Sequence, residues 1–316
     1  MRWVTKYVLQ HYNMSETQDS LVGKLTTDRS QLDWRPYVYL LPAFVMVAIF
    51  LAYPLVDTFL LSFQEVVTLG GETRWVGLDN YVAVVTDPLF WVAAKNTLIF
   101  SVGMIVLPLV LGLGLAMAIN RGIEGRSFLR SLIFVPVVVP IVVAGIVFSW
   151  LLSPNGLVNW LLTTAGVIEE PARFLNSTTL SLPSVMLMVL WKRTGYYMVI
   201  LLAGLQGLPD DVYEAAKIMG KSRWAMFRHI TLPLLKPAIL ITLVLGIIDT
   251  VRAFAHVYVM TGGGPSNSSE ILSTHFYQVA FGYFNFGKGA AYGFILFGMA
   301  LVFSTIAIKL SGGTEI

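Results

Sequence analysis

Apolar residues in this chain do not alternate with polar ones; they run together in long blocks. Six blocks stand out, near Pro36–Phe63, Trp91–Ile119, Ser131–Leu152, Leu180–Leu205, Ala238–Met260 and Lys288–Lys309. A helix rises about 1.5 Å per residue, so roughly 20 apolar residues cross a hydrocarbon core of about 30 Å. The pattern predicts an all-α polytopic membrane protein with six transmembrane helices over residues 36–310. Proline interrupts several blocks, at Pro108, Pro136 and Pro140. Spans tolerate it where neighbouring groups re-satisfy the freed backbone. Residues 1–35 have no apolar run and carry Glu16 and Asp19, so they read as a tail with a surface helix at Trp3–Leu9, not as a secretory signal. Residues 311–316 read as a second tail.

Composition supports the membrane reading. Of 316 residues, 56% are hydrophobic and 12% charged, with a mean hydropathy of +0.73. A soluble domain carries about 25% charged residues, so too few charges are present here to cover a water-exposed surface. The net charge of +3 is then a matter of orientation rather than of nucleic-acid binding. The first tail holds Arg2, Lys6, Lys24, Arg29 and Arg35; the loop after the second block holds Arg121, Arg126 and Arg130. The loop after the fourth holds Lys217, Lys221, Arg223, Arg228 and Lys236, whereas the alternate loops hold only Arg74 and Arg173. Cytoplasmic loops keep the basic residues, so both termini are expected in the cytoplasm and loops 64–90, 153–179 and 261–287 outside. There is no cysteine, which excludes disulfides and thiolate chemistry.

The loop over residues 206–237 breaks the apolar pattern. Pro209-Asp210-Asp211 is a helix start, with aspartate as the capping type. Val212, Ala215, Ala216 and Met219 share a helical face, Gly220 interrupts, and Trp224, Phe227 and Ile230 begin a second pattern. Two short amphipathic helices bent at a glycine are expected. Gly220-Lys221-Ser222 looks like the end of a phosphate-binding loop, but residue 215 is alanine where that motif needs glycine, and no strand precedes it.

The spacing Glu214-Ala215-Ala216, Gly220, Ile230-x-Leu232-Pro233 resembles the signature loop of the membrane subunits of binding-protein-dependent ABC importers. Leu202-Ala203-Gly204-Leu205-Gln206 with Pro209, and Met260-Thr261-Gly262-Gly263-Gly264-Pro265, are similar to the carbohydrate-uptake branch, in the manner of the maltose- and glycerol-phosphate-type first permease. Many relatives carry Asp-Gly-Ala where this chain has Met219-Gly220-Lys221, and residues 64–90 are too few for the large outer domain of some maltose-type subunits. The resemblance implies a sugar or oligosaccharide permease subunit in a bacterial or archaeal inner membrane, working by alternating access. It implies a second permease chain as heterodimeric partner, two ATP-binding subunits carrying ATP and Mg, and an extracytoplasmic solute-binding protein. The 206–237 loop would dock on an ATPase, with Glu214 as a contact and Gly220 permitting the bend.

Ionisable residues inside a span are costly and by default functional. Lys192 and Arg193 lie mid-way along the fourth block; Asp249, Arg252 and His256 lie in the fifth at helical spacing that puts them on one face. Neighbours on a helix differ by about 100°, so one of Lys192 and Arg193 is expected to line a cavity and the other to pair structurally; the alternative to a substrate-facing pair is a structural partner for Asp249, or a charge buried against carbonyls of other helices. Asp249 with Arg252 reads as an internal salt bridge before a ligand clamp. Trp191, Tyr196, Tyr197 and Tyr258 are candidate faces for a sugar ring, although Trp and Tyr also gather at membrane interfaces. The cationic excess in mid-membrane points to an acidic or phosphorylated substrate. In the loop 261–287, Asn267-Ser268-Ser269-Glu270 reads as a capping box ahead of a short helix at 271–281.

Nothing here reads as an enzyme. The four histidines, at 11, 229, 256 and 275, have no metal-ligand spacing. An ion-coupled secondary solute transporter is the rival: it would house its coupling-ion site in broken, internally repeated helices. No repeat between the two halves is evident, and such a carrier has no need of the 206–237 motif.

Overall fold

The computed structural model describes residues 35–66, 73–122 and 124–310. The expected surface helix at Trp3–Leu9 and the tail 311–316 lie outside these. The chain divides after Asp57 into two units. The first holds helix α1 (Arg35–Val47), a π-helical turn at Ala48–Ala52 and the opening of α2 (Tyr53–Leu61).

The second unit opens with a two-stranded antiparallel ribbon, β1 (Gln64–Val66) and β2 (Thr73–Trp75), with Glu65 opposite Arg74. Then follow α3 (Asp79–Val85), α4 (Pro88–Asn120), α5 (Arg126–Val138), α6 (Ile141–Leu151), α7 (Leu157–Thr164) and α8 (Ser181–Gln206). Next come α9 (Asp210–Ile218), α10 (Arg223–Met226), a π turn at Phe227–Thr231, α11 (Leu232–Leu234), α12 (Lys236–Val251) and α13 (Phe254–Met260). The chain ends in α14 (Leu272–Tyr277), a π turn at Gln278–Gly282 and α15 (Phe286–Leu310).

All six apolar blocks fold as helix, but they do not all fold as single rods. Tyr37–Leu61, Pro88–Asn120 and Ser181–Gln206 are unbroken and apolar enough to cross a membrane. The third block is broken: α5 and α6 meet at 99°. Its cause is Pro140, which has no N–H to donate, while Val139 before it is extended at φ −64°, ψ 128°. The fifth block is broken too. Helix α12 stops at Val251, and Arg252 closes it with a bond from its N–H to the Ile248 carbonyl (3.3 Å) before α13 starts at Phe254. Asp249, Arg252 and His256 therefore do not share one helical face, contrary to the spacing argument. That argument assumes a continuous 3.6-residue period, and no proline or glycine marks the break.

Helix α8 is the hub. Its Leu182, Val185, Met188 and Val189 pack with Phe100 and Met104 of α4, Ala144 of α6 and Val257 of α13. Further along, Met198, Leu201, Leu202 and Leu205 pack with Ala116, Ile119 and Leu235. One close approach needs a glycine. A Cβ on Gly195 would lie 2.1 Å from the Ile133 carbonyl oxygen, so α5 and α8 touch backbone to backbone there. A third cluster joins Val84, Phe90 and Ala93 to Leu272, Ala291 and Tyr292.

The segment 261–287 is held by side chains far away in sequence. Asn96 of α4 donates to the carbonyls of Asn267 (3.2 Å), Ser268 (3.2 Å) and Glu270 (2.9 Å). Thr97 accepts from the Leu272 N–H at 2.8 Å, and Ser181 and Ser268 share a bond of 3.0 Å. The expected capping box at 267–270 is displaced: the helix starts after Ile271, whose N–H donates to Thr274 Oγ1 (3.0 Å). Glu270 is buried instead, and burial raises its carboxyl pKa against the pull of a Thr274 bond.

Candidate functional site

The polar residues of the fourth and fifth blocks meet at the two helix breaks. Lys192 is buried, and its ammonium donates to the carbonyls of Pro136 (3.3 Å), Val137 (3.2 Å) and Val139. These are the carbonyls freed where α5 ends, at the negative end of its dipole, so a cation belongs there. Arg193, a hundred degrees round the helix, reaches the other way. Its Nη2 lies 2.7 Å from Asp249 Oδ1, with both side chains largely buried. Asp249 thus pairs with Arg193 and not, as the spacing suggests, with Arg252, which is exposed in the turn beyond α12. The break at Arg252 ends the helical register that would have brought the two together.

The Arg193–Asp249 pair is single-armed. Arg193 Nε and Asp249 Oδ2 are buried and have no hydrogen-bond partner among the described residues. The unmatched atoms are one donor and one acceptor. A buried polar group left unmatched costs about 1–3 kcal/mol.

The aromatic candidates separate into different settings. Trp191 is exposed and tilts against Phe148 of α6 with ring centroids 5.3 Å apart. Tyr196 is half-buried beside Arg193, while Tyr197 is buried with its hydroxyl pressed on Gly246 of α12. Tyr258 stacks on Phe254 (4.8 Å) and meets Tyr277 edge-on (5.3 Å). His256 is buried, with Nδ1 3.2 Å from the Ala253 carbonyl. Phe148, Phe254 and Tyr277 were not among the sequence candidates. Phe254 alone carried a signal, four residues before Tyr258.

The 206–237 loop folds as the bent pair expected, with its ends specified residue by residue. Pro209 occupies the cap position and makes no side-chain bond, so Asp210 and Asp211 act in the first turn, not as caps. Gly220 ends α9 at φ +68°, with Lys221 N–H bonded to the Ala216 carbonyl (3.1 Å) and Gly220 N–H to that of Lys217 (3.0 Å). This is the glycine-terminated helix stop. Ser222 then caps α10, accepting from the Ala225 N–H at 3.2 Å. Gly-Lys-Ser is therefore one helix's stop and the next one's start. Tyr213 and Thr231 are tied at 3.0 Å across the bend. Ala215 and Ala216 face Ile230 across a cleft of about 430 Å³. Leu232 and Pro233 carry the chain through α11 toward α12.

Glu214 is exposed on α9 and has no ion pair among the described residues. Beside it stand Ile218, 88% exposed, Met219 at 75% and, past the bend, Trp224 at 66%. Among the described residues no cluster of three or more His, Cys, Asp or Glu could hold a metal.

The family model for the "binding-protein-dependent transport system inner membrane component" matches residues 108–310. The chain is 35% identical over 298 residues to the trehalose/maltose transport system permease protein MalF of Thermococcus litoralis, covering 92% of this chain and 97% of that one. The fold is similar to a chain of a bacterial ABC transporter involved in import of the acidic polysaccharide alginate (TM-score 0.77, 26% identity, 88% of this chain and 95% of that one). It is equally similar to a chain of a bacterial alginate ABC transporter in complex with its alginate pentasaccharide-bound periplasmic protein (TM-score 0.77, 25% identity, 89% and 94%). The helix breaks and the glycine-stopped loop thus stand in a membrane-embedded translocation component, and the chain belongs to the family of binding-protein-dependent ABC transport permeases.

Proposed function

We propose that this chain forms half of the transmembrane pathway of an ATP-driven importer for a sugar or oligosaccharide. Both termini and the 206–237 loop face the cytoplasm, across the inner membrane of a bacterium or archaeon. A second permease chain supplies the other half, two ATP-binding subunits hold ATP and Mg, and an extracytoplasmic binding protein delivers solute. Glu214, Ala215, Ala216, Gly220, Ile230, Leu232 and Pro233 form the docking element.

The observation that carries this reading is the loop's outer surface. Ile218, Met219 and Trp224 expose apolar area next to an unpaired Glu214, on a helix pair whose bend is locked by its stop, its cap and the Tyr213–Thr231 bond. Exposed apolar groups clustered with a charge mark a protein contact. Through α11 the pair joins α12, which carries Asp249, across a bend of 64° at Leu235. Rocking the loop therefore moves Asp249 relative to Arg193 on α8. In the alternating-access cycle, ATP binding in the partners shifts the loop, and the single-armed pair changes its opening to the pathway.

The substrate-pathway residues are Trp191, Lys192, Arg193, Tyr196, Tyr197, Asp249, Arg252, His256 and Tyr258. Within this set the unmatched Arg193 Nε and Asp249 Oδ2 suit a sugar hydroxyl, and the cationic excess suits an acidic sugar. That a similar structure comes from an importer of an acidic polysaccharide supports this. An ion-coupled carrier would bind its cation at broken-helix carbonyls; here the chain's own Lys192 ammonium occupies those of α5.

The test is co-purification of the tagged chain from native membranes in mild detergent, beside a Glu214→Lys variant. An ATPase subunit should accompany the first and be lost from the second. A chain that purifies alone and moves solute in liposomes on an ion gradient overturns the proposal.

A further inference from the structure

A second cavity, of about 480 Å³, lies on the other face of the bent pair, where α4 and α8 end. Its apolar wall is Met117, Leu205, Leu208 and Phe227. Three cations from three elements converge on it: Arg121 just past α4, Lys217 in the last turn of α9, and Arg223 opening α10. Against them stands one carboxylate, Asp210, and none of the three cations forms an ion pair or side-chain hydrogen bond among the described residues.

Like charges gathered at one cavity repel one another, and an anion between them adds an attractive term with each that offsets the repulsion. The apolar wall sits where two helices long and apolar enough to cross a membrane end. A soluble anion would use the cations and leave that wall bare; a phospholipid uses both. The partner-facing groups Glu214, Ile218, Met219 and Trp224 do not line this cavity, so a protein docked on them does not use its lining.

We propose that this cavity binds the phosphate-bearing head of an anionic glycerophospholipid, with Arg121, Lys217 and Arg223 around the phosphate and the acyl stem along Met117, Leu205, Leu208 and Phe227. The bound lipid bridges the ends of two spans to the loop that turns back beneath them. It acts as a structural cofactor of the hinge, and it is independent of which solute crosses.

The experiment is native mass spectrometry of the purified full-length chain in mild detergent, titrated separately with phosphatidylglycerol, phosphatidylcholine, inorganic phosphate and glycerol 3-phosphate. The comparison is Arg121→Gln/Lys217→Gln/Arg223→Gln against Arg126→Gln/Arg130→Gln/Arg228→Gln, which removes equal charge from the same side of the spans but not from the cavity. Each basic group near a membrane surface is worth about fivefold in binding an anionic lipid. The cavity variant should therefore lose phosphatidylglycerol affinity roughly a hundredfold, with phosphatidylcholine unaffected and the control variant near wild type. Each single cavity variant should lose about fivefold, which keeps the test open if the triple variant does not fold. Equal losses in the two triple variants, or tighter binding of phosphate or glycerol 3-phosphate than of phosphatidylglycerol, overturns the proposal.

Discussion

At the scale of single residues, charge inside this protein is settled by what each charge can reach. Lys192 and Arg193 are adjacent, yet one serves a helix end and the other a carboxylate. Lys192→Met would leave the Val137 and Val139 carbonyls at the end of α5 without this donor, while that of Pro136 keeps the Val139 N–H. A buried unmatched polar group costs about 1–3 kcal/mol, so the variant should show a lowered unfolding temperature in detergent, read by tryptophan fluorescence. An unchanged transition would mean that water serves those carbonyls equally well. Arg193→Met should cost about 3–5 kcal/mol, because it strands Asp249 in a largely buried place. The double variant Arg193→Met/Asp249→Leu should recover most of that stability but not solute uptake. If uptake returns with stability, the pair is structural only.

At the scale of elements, the 206–237 loop is rigid because three local devices agree. Gly220 sits at positive φ, Ser222 caps α10, and Tyr213 bonds Thr231. Gly220→Ala forces a Cβ into the left-handed region, at about 1–2 kcal/mol, and Ser222→Ala costs about 1 kcal/mol through the cap. Both should weaken the coupling of partner ATPase activity to uptake before they affect assembly, measured as ATP hydrolysed per solute in proteoliposomes. Loss of the complex with coupling intact in the remainder would argue for a simple docking surface. Helix α8 offers a sharper test of packing. Gly195→Ala puts a methyl 2.1 Å from the Ile133 oxygen. The α5–α8 approach must open, at about 1–3 kcal/mol, and Lys192 should lose its carbonyls with it.

At the scale of the whole molecule, a polar junction joins the start of α4 to α14 and α15. Asp87 caps α4 through the Leu89 N–H (3.0 Å) and accepts from Lys288 of α15 at 3.0 Å. His275 of α14 lies 3.8 Å from the same carboxylate, and neither of its ring nitrogens has a hydrogen bond among the described residues. Burial would raise Asp87, but the Lys288 hydrogen bond and the Leu89 amide outweigh it and hold its pKa below the ordinary 3.8. Burial lowers the His275 pKa below its ordinary 6.5, against the pull of Asp87. Both groups favour the fold in their high-pH forms. The His275 contribution is complete above about pH 6.5 and is lost as pH falls through that value toward its folded pKa; that of Asp87 is lost only below 3.8. Glu270, raised by burial, acts with the opposite sign, since its proton stabilises the fold as pH falls. The difference between wild type and His275→Gln isolates the histidine. The wild-type unfolding temperature should fall more steeply between pH 7 and about pH 5.5, and parallel slopes would remove His275 from the account.

Much of this architecture was legible in the chain itself, because lipid imposes a coarse rule. Apolar blocks about as long as the bilayer is thick must be helix, and Gly220 and the Glu214-Ala215-Ala216 spacing are local signals read within one or two turns. The breaks were not legible, and the pairings of Lys192, Arg193 and Asp249 only as open alternatives. Pro140 kinks its block where Pro108 leaves α4 unbroken, and α12 stops at Val251 with no breaker residue at all. Asp249 lies three residues from Arg252 and 56 from Arg193, yet pairs with the distant one. Asp87 and Lys288 are 201 residues apart, and nothing in either neighbourhood announces the other. Periodicity describes which face a residue has on its own helix. Which charge stands opposite, and whether a helix continues past a strained point, depends on what α8 packs against, and only the tertiary structure decides that.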